Sequence, residues 1–183
     1  MFNQNLKTQF YINHVEREDA TGELKEVYGN FPKEVMLPGM ILVKSAVPEL
    51  VKLNADELAY FSNLKSITPK VITAIRYILA VRVHSAHCTN VNGGLLVGMG
   101  LTEEMLSDLI EKEACDCFSD RENALISFAV KATLNPESIN KVDIDKVRAS
   151  DWSDEELLQI VVAAIDSLAG VNVFKVFQVK EKN

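Results

Sequence analysis

The 183-residue sequence has little of anything that marks an unusual class of protein. Aromatic residues make up only 7%, glycines number 8, prolines 5 and cysteines 3. So few glycines and prolines exclude a collagen-like or low-complexity chain, and 48% hydrophobic residues exclude a disordered one. There is no basic surplus either: 19 Lys and Arg against 26 Asp and Glu leave a net charge of −7. That balance argues against a nucleic-acid binder, whose phosphate contacts need a basic face, and against adhesion to an anionic membrane. The most apolar run, residues 160–165, is cut at Asp166, well short of the roughly 20 residues of a membrane span. Residues 1–7 show no basic-then-apolar leader, and the cysteine count is odd. Both predict free thiols in a reducing cytoplasm.

What the sequence does contain is helix punctuation. A chain of this length buries about 70% of its extended surface, so one sizeable core is expected without disulfides. No repeat or linker divides it. The expectation is a single domain over 1–183, with a core at about 38–179 and a looser arm at 1–18. Thr21 is a candidate cap for a helix ending before Asn30 and Pro32. Pro48 suits the first position of a helix to about Leu64, with Leu50, Leu53, Leu58 and Phe61 near a common apolar face. Thr68-Pro69 opens a helix with Val71, Ile72, Ile75, Ile78 and Leu79 at helical steps. Thr102 begins another helix, and Ser119–Glu122 and Ser153–Glu156 both match the capping box. Residues 153–170 are apolar on nearly every side, which predicts a helix buried centrally or between subunits. Val171, Val173, Phe174, Val176, Phe177 and Val179 alternate well enough for a strand. With no partner strand in the sequence, helix is the better assignment. The fold class is all-α.

Chemistry concentrates in residues 75–96, IRYILAVRVHSAHCTNVNGGLL. They read as a helix ending near Val83, a tight turn, and a new helix from about Ser85. With Ser85 as N-cap, Cys88 falls at N3, among unpaired amides at the positive end of the dipole. That setting favours the thiolate, the nucleophilic form, with Arg82 or His84 as further sources of positive charge. Asn92 lies one turn on, where its amide could reach the sulfur or a ligand. A structural alternative stands beside this one, because free cysteine is among the most buried residue types. Cys115 and Cys117 are too close in sequence to bond easily to each other, and read as ordinary thiols or as resolving partners for an oxidised Cys88. His84, His87 and Cys88 suggest a metal, but no second compact ligand pair accompanies them. No metal and no cofactor is expected. Asp166, inside its apolar helix, reads as a residue that caps or pairs at an interface. Gly93-Gly94 lacks the Gly-Lys-Ser/Thr ending of a phosphate loop and reads as a helix-packing site.

These residues resemble the carboxymuconolactone decarboxylase and alkylhydroperoxidase D group of all-helical proteins, over about residues 38–179. The peroxidase branch of that family carries a glutamate, a Cys-x-x-Cys and then a histidine. Laid on this chain, Ser85 falls on the first cysteine, Cys88 on the second, Asn92 on the histidine and Thr73 on the glutamate. His87 falls on a spacer position flanking the pocket. The resemblance implies an alkylhydroperoxidase D-like helical bundle in which Cys88 attacks a peroxide. It also implies a homo-oligomer, a hexamer or else a trimer, with the cysteine near subunit contacts. The departures weaken the chemistry: Ser85 cannot form a disulfide, Thr73 is no carboxylate and Asn92 is no base. A general base is typically worth about 10²–10⁴-fold. The expected function is therefore a peroxidase-related thiol protein working through a single cysteine, with a small-molecule peroxide as substrate and an outside thiol as reductant. The alternatives are a decarboxylase-branch enzyme acting on a lactone-type substrate through His84 or His87, and a catalytically silent ligand-binding or structural oligomer.

Overall fold

The structure, a computed structural model, describes residues 10–31, 33 and 37–179. Residues 1–9, half of the expected arm at 1–18, lie outside them together with Pro32. Among the described residues there are nine α-helices: α1 (Gly22–Gly29), α2 (Gly39–Lys44), α3 (Pro48–Ser62), α4 (Pro69–Arg82), α5 (Ala86–Gly98), α6 (Glu103–Lys112), α7 (Asp120–Leu134), α8 (Lys141–Arg148) and α9 (Asp154–Phe177). Two short 3₁₀ turns, Arg17–Asp19 and Pro136–Ser138, complete the regular structure. The only β pairing among these residues is one isolated antiparallel bridge between Phe10 and Gln178. The chain is all-α.

Local chemistry starts these helices where the sequence marks them. The Thr68 hydroxyl accepts from the Val71 amide and Pro69 occupies the first turn, where a missing N–H costs nothing. The Thr102 hydroxyl accepts from Met105 N–H. Ser119 with Glu122, and Ser153 with Glu156, form reciprocal capping boxes. A third box, Asn140 with Asp143, starts α8; an asparagine cap before a polar helix escapes a search keyed on serine and an apolar run.

Two apolar clusters hold the bundle together. The larger one packs α4 against α5, α7 and α9, with Ile75, Ile78, Leu79, Leu125, Ile126 and Ile160 fully buried. The smaller one joins Leu24, Tyr28, Ile41, Leu42 and Val51 of α1, α2 and α3, with Phe10 and Val15 packed on it. The Val15 amide donates to Ser45 Oγ at 2.7 Å and the Tyr28 hydroxyl to the Val15 carbonyl at 2.8 Å, so residues 10–20 are tied onto this cluster.

Two expectations about faces need correction. On α3 the inward positions are Val51, Asn54 and Phe61, while Leu50 and Leu53 are exposed. This helix carries two apolar stripes, and a buried asparagine interrupts the one that faces in. Of the two forms of burial expected for α9, central or between subunits, the central one is overturned: the helix buried almost all round within the chain is α4. As expected, the tail continues as helix, and α9 runs unbroken for 24 residues. It packs one face on α2, α4 and α7 and leaves Leu158, Val162, Ile165, Val173 and Val176 exposed. By length and composition α9 is long and apolar enough to cross a membrane, which counting only to Asp166 does not reveal.

Candidate functional site

The connection from α4 to α5 positions the site. α4 ends in a Schellman-type closure: Ser85 N–H donates to Ala80 O at 2.9 Å and His84 N–H to Val81 O at 3.0 Å. His84 takes the left-handed conformation, φ 54°, that such a closure requires and that glycine usually supplies. Lys175 of α9 donates from Nζ to the Val83 carbonyl, placing a cation at the negative end of α4. The chain then reverses, Ser85 becomes the N-cap of α5, and Cys88 stands at N3.

Beside the first turns of α5 lies a cavity of about 520 Å³, walled by residues of α1, α2, α3, α4, α5 and α9. That volume falls within the ordinary range for small-molecule sites, about 300–1,000 Å³. Thr73, His87, Cys88 and Asn92 all line it. Four of the five residues singled out from the sequence therefore meet at one surface. The fifth, Ser85, is buried beside Cys88 but does not line the cavity.

Their chemistry differs from expectation at three points. Burial raises the Cys88 thiol above its ordinary value; the Ser85 hydroxyl and the Lys175 ammonium pull it down without reversing the direction. A raised thiol therefore stands at N3 of α5, where a lowered one is expected. The Ser85 Oγ lies near enough to Cys88 to act on it, yet is buried with no partner at full hydrogen-bond geometry. Nor do Arg82 and His84 supply the charge. Arg82 is exposed and bonds the Ile110 carbonyl and Glu113, and His84 is exposed as well. Lys175 takes their place. Finally, Asn92 donates from Nδ2 to the Cys88 backbone carbonyl at 2.8 Å, not to the sulfur.

Thr73 turns its hydroxyl back to the Pro69 carbonyl at 2.7 Å and offers no proton relay. His87 is buried, and desolvation lowers its imidazole to about 4, so it stays neutral at physiological pH. Its ring stacks on Phe174, with centroids 4.7 Å apart. Gly39 of α2 closes over this pair: a Cβ there would overlap the Phe174 ring and touch His87.

Cys115 and Cys117 lie between α6 and α7 and do not line the cavity. The Cys117 amide donates to Cys115 Sγ at 3.2 Å. Burial and its hydrogen bond with Cys115 push the Cys117 thiol up to about 12. Neither cysteine shares the cavity wall with Cys88, and all three are free thiols. Among the described residues no three metal-binding side chains cluster; His84 faces solvent while His87 is buried.

Charged residues complete the cavity wall. Arg76 of α4 and Lys44 of α2 line it together with Glu57 of α3 and Asp166 of α9. Burial lowers both Arg76 and Lys44, while Glu57 supports each of them and Asp166 supports Lys44. The Arg76 Nε donates to Ser167 Oγ at 3.0 Å. The sequence carried a signal for Arg76 that was missed: a cation one turn after Ile72 and three residues before Leu79, inside the inward stripe of α4. Asp166 belongs to this wall, which accounts for its place in an apolar helix. The chain matches no protein-family model, and no curated protein matches it.

Proposed function

We propose that this chain is an alkylhydroperoxidase D-like, peroxidase-related thiol protein in which Cys88 reduces a hydroperoxide bound in the cavity. The observation that carries this reading is the half-buried Cys88 thiol opening onto a largely apolar cavity together with Thr73, His87 and Asn92. The sulfur takes the terminal oxygen of the hydroperoxide: an S–O bond forms and the O–O bond breaks. The thiol proton leaves with the alkoxide as an alcohol. An outside dithiol then reduces the sulfenic acid, becoming a disulfide and releasing water. Turnover is slow, because the thiol is raised and no carboxylate or histidine relay takes its proton.

The raised Cys88 thiol favours a second reading, a ligand-binding protein without turnover. Histidine acid–base chemistry on a lactone-type substrate has only His87 to draw on, a weak base held against Phe174. Dimedone labelling after hydroperoxide treatment separates these readings. Labelling at Cys88, with dithiol-dependent peroxide loss that Cys88→Ser abolishes, supports the peroxidase. An unlabelled Cys88 with a cavity that still binds ligand supports the silent protein, and turnover surviving Cys88→Ser supports the histidine enzyme.

The assembly belongs to the same proposal: a cytoplasmic homo-oligomer, a hexamer built as a trimer of dimers or else a trimer. Its support is the exposed stripe on α9, Leu158, Val162, Ile165, Val173 and Val176, at steps that keep one face of a helix. A stripe of this kind calls for burial against another apolar surface.

A further inference from the structure

We infer that the cavity is built for a carboxylate with an apolar tail, and that Arg76 is the residue that binds its head group. Arg76 comes from the middle of α4, the most buried helix of the chain, yet lines the cavity and so remains reachable through it. A guanidinium carries five N–H donors, and the Nε donor is used on Ser167. Among the described residues its two terminal amino groups make no hydrogen bond or ion pair. The Nε bond to Ser167 fixes the plane of the group and leaves the end-on fork, the geometry that takes a carboxylate through two parallel bonds.

A buried cation with unused donors is costly unless an acceptor reaches it. Glu57 is close enough to support the charge but forms no ion pair with Arg76 among the described residues. Its carboxylate is instead approached by Asn54 Nδ2, at 3.4 Å. The same Asn54 lines the cavity and buries its side-chain oxygen with no donor. The donors that the fold leaves unmatched at this end are those of Arg76; Asn54 Oδ1 is an unmatched acceptor and takes no part in holding a carboxylate. The remaining wall is largely apolar, with Leu58, Ile72, Leu79, Val91, Leu95 and Val171 among its residues, and its other charges, Lys44 and Asp166, lie in each other's field. A neutral hydrocarbon would leave the guanidinium unmatched, and a small inorganic anion would leave the apolar wall uncovered. A medium-chain carboxylate satisfies both, and its tail lies along the wall that Cys88 shares.

For the reaction, this rests on the peroxidase reading and names its substrate class: hydroperoxides of carboxylic acids, held by the head group while the tail presents the peroxide to Cys88. Binding is independent of turnover, so the two can fail separately. The probes are decanoate, decanol and decylamine, titrated calorimetrically into the intact protein. Decanoate is expected to bind at least roughly tenfold tighter than decanol, the scale of a charge-assisted bond, with decylamine weakest. Arg76→Met should remove the advantage of decanoate over decanol, and Arg76→Lys should keep part of it. Bound decanoate should also slow alkylation of Cys88, which locates it in this cavity. Equal binding of acid and alcohol to the unmodified protein overturns the inference even if the Arg76 variants fail to fold. So does decanoate binding that leaves Cys88 alkylation unchanged. Selective decanoate binding without peroxide turnover would leave the inference standing and remove only the peroxidase reading.

Discussion

The imidazole of His87 lies against the phenyl ring of Phe174, centroids 4.7 Å apart and planes 29° from parallel. The contact fastens the first turn of α5, which carries Cys88, to the last turns of α9. Gly39 packs on the pair from α2. Three segments distant in sequence therefore meet beside the thiol, and the contact has measurable consequences.

Gly39 is irreplaceable at this crossing because any side chain enters the Phe174 ring. Gly39→Ala should destabilise the fold by about 1–3 kcal/mol, the usual cost of overpacking. Urea unfolding monitored by circular dichroism checks it. Phe174→Ala should cost more, about 3–5 kcal/mol, because Phe174 is fully buried.

His87 makes stability depend on pH. Unfolded, its imidazole titrates near about 6.5; folded, desolvation lowers it to about 4. Between those values the unfolded chain binds the extra proton, so stability is full above pH 6.5 and falls as the pH drops towards 4. The loss reaches about 3 kcal/mol at most. Urea midpoints should fall between pH 6.5 and pH 5, and His87→Gln should flatten that slope. An unchanged slope in the variant would assign the effect elsewhere.

Cys88 should alkylate more slowly at neutral pH than a free thiol, because burial raises it. Lys175 opposes that rise, so Lys175→Met should slow iodoacetamide labelling further and move its pH profile upward. A faster reaction in the variant would mean that access, not charge, limits the thiol.

Rebuilding the relay should speed peroxide reduction. Thr73 and Asn92 line the cavity with Cys88, and Ser85 is buried beside it. The combined variant Thr73→Glu, Ser85→Cys, Asn92→His should therefore gain about 10²–10⁴-fold, the usual worth of a general base. A stopped-flow assay with a dithiol reductant measures it. No gain would show that the cavity does not orient a peroxide for this chemistry.

Charges on the open face of α9 should dissociate the assembly. Leu158 and Val176 are 66% and 68% exposed, so Leu158→Glu with Val176→Glu costs the single chain little. Light scattering should show the unmodified protein at a multiple of 20.4 kDa and the variant at a smaller one. A monomeric unmodified protein would remove the assembly proposal.

Helix starts were determined by the sequence itself, because they depend on atoms a few residues apart. The Thr68 hydroxyl meets the Val71 amide, and Ser119 and Ser153 exchange bonds with Glu122 and Glu156, whatever packs around them. The all-α class follows largely from the same short-range chemistry, whereas the helical tail follows from the lack of a partner strand, and Ser85 holds the N-cap of α5 without a side-chain cap bond. Which face of a helix turns inward was left to the tertiary structure. On α3, Leu50 and Leu53 look as suitable for a core as Val51 and Phe61, and only the packing of α1 and α2 chooses between them. The state of Cys88 was decided there too. Desolvation by surrounding elements raises the thiol, and the cation that opposes the rise, Lys175, lies 87 positions away in the sequence. Arg76 becomes a cavity residue only because α2, α3 and α9 stop short of filling the space beside α4. Such unfilled space comes from how whole helices pack, and no local pattern of residues encodes it.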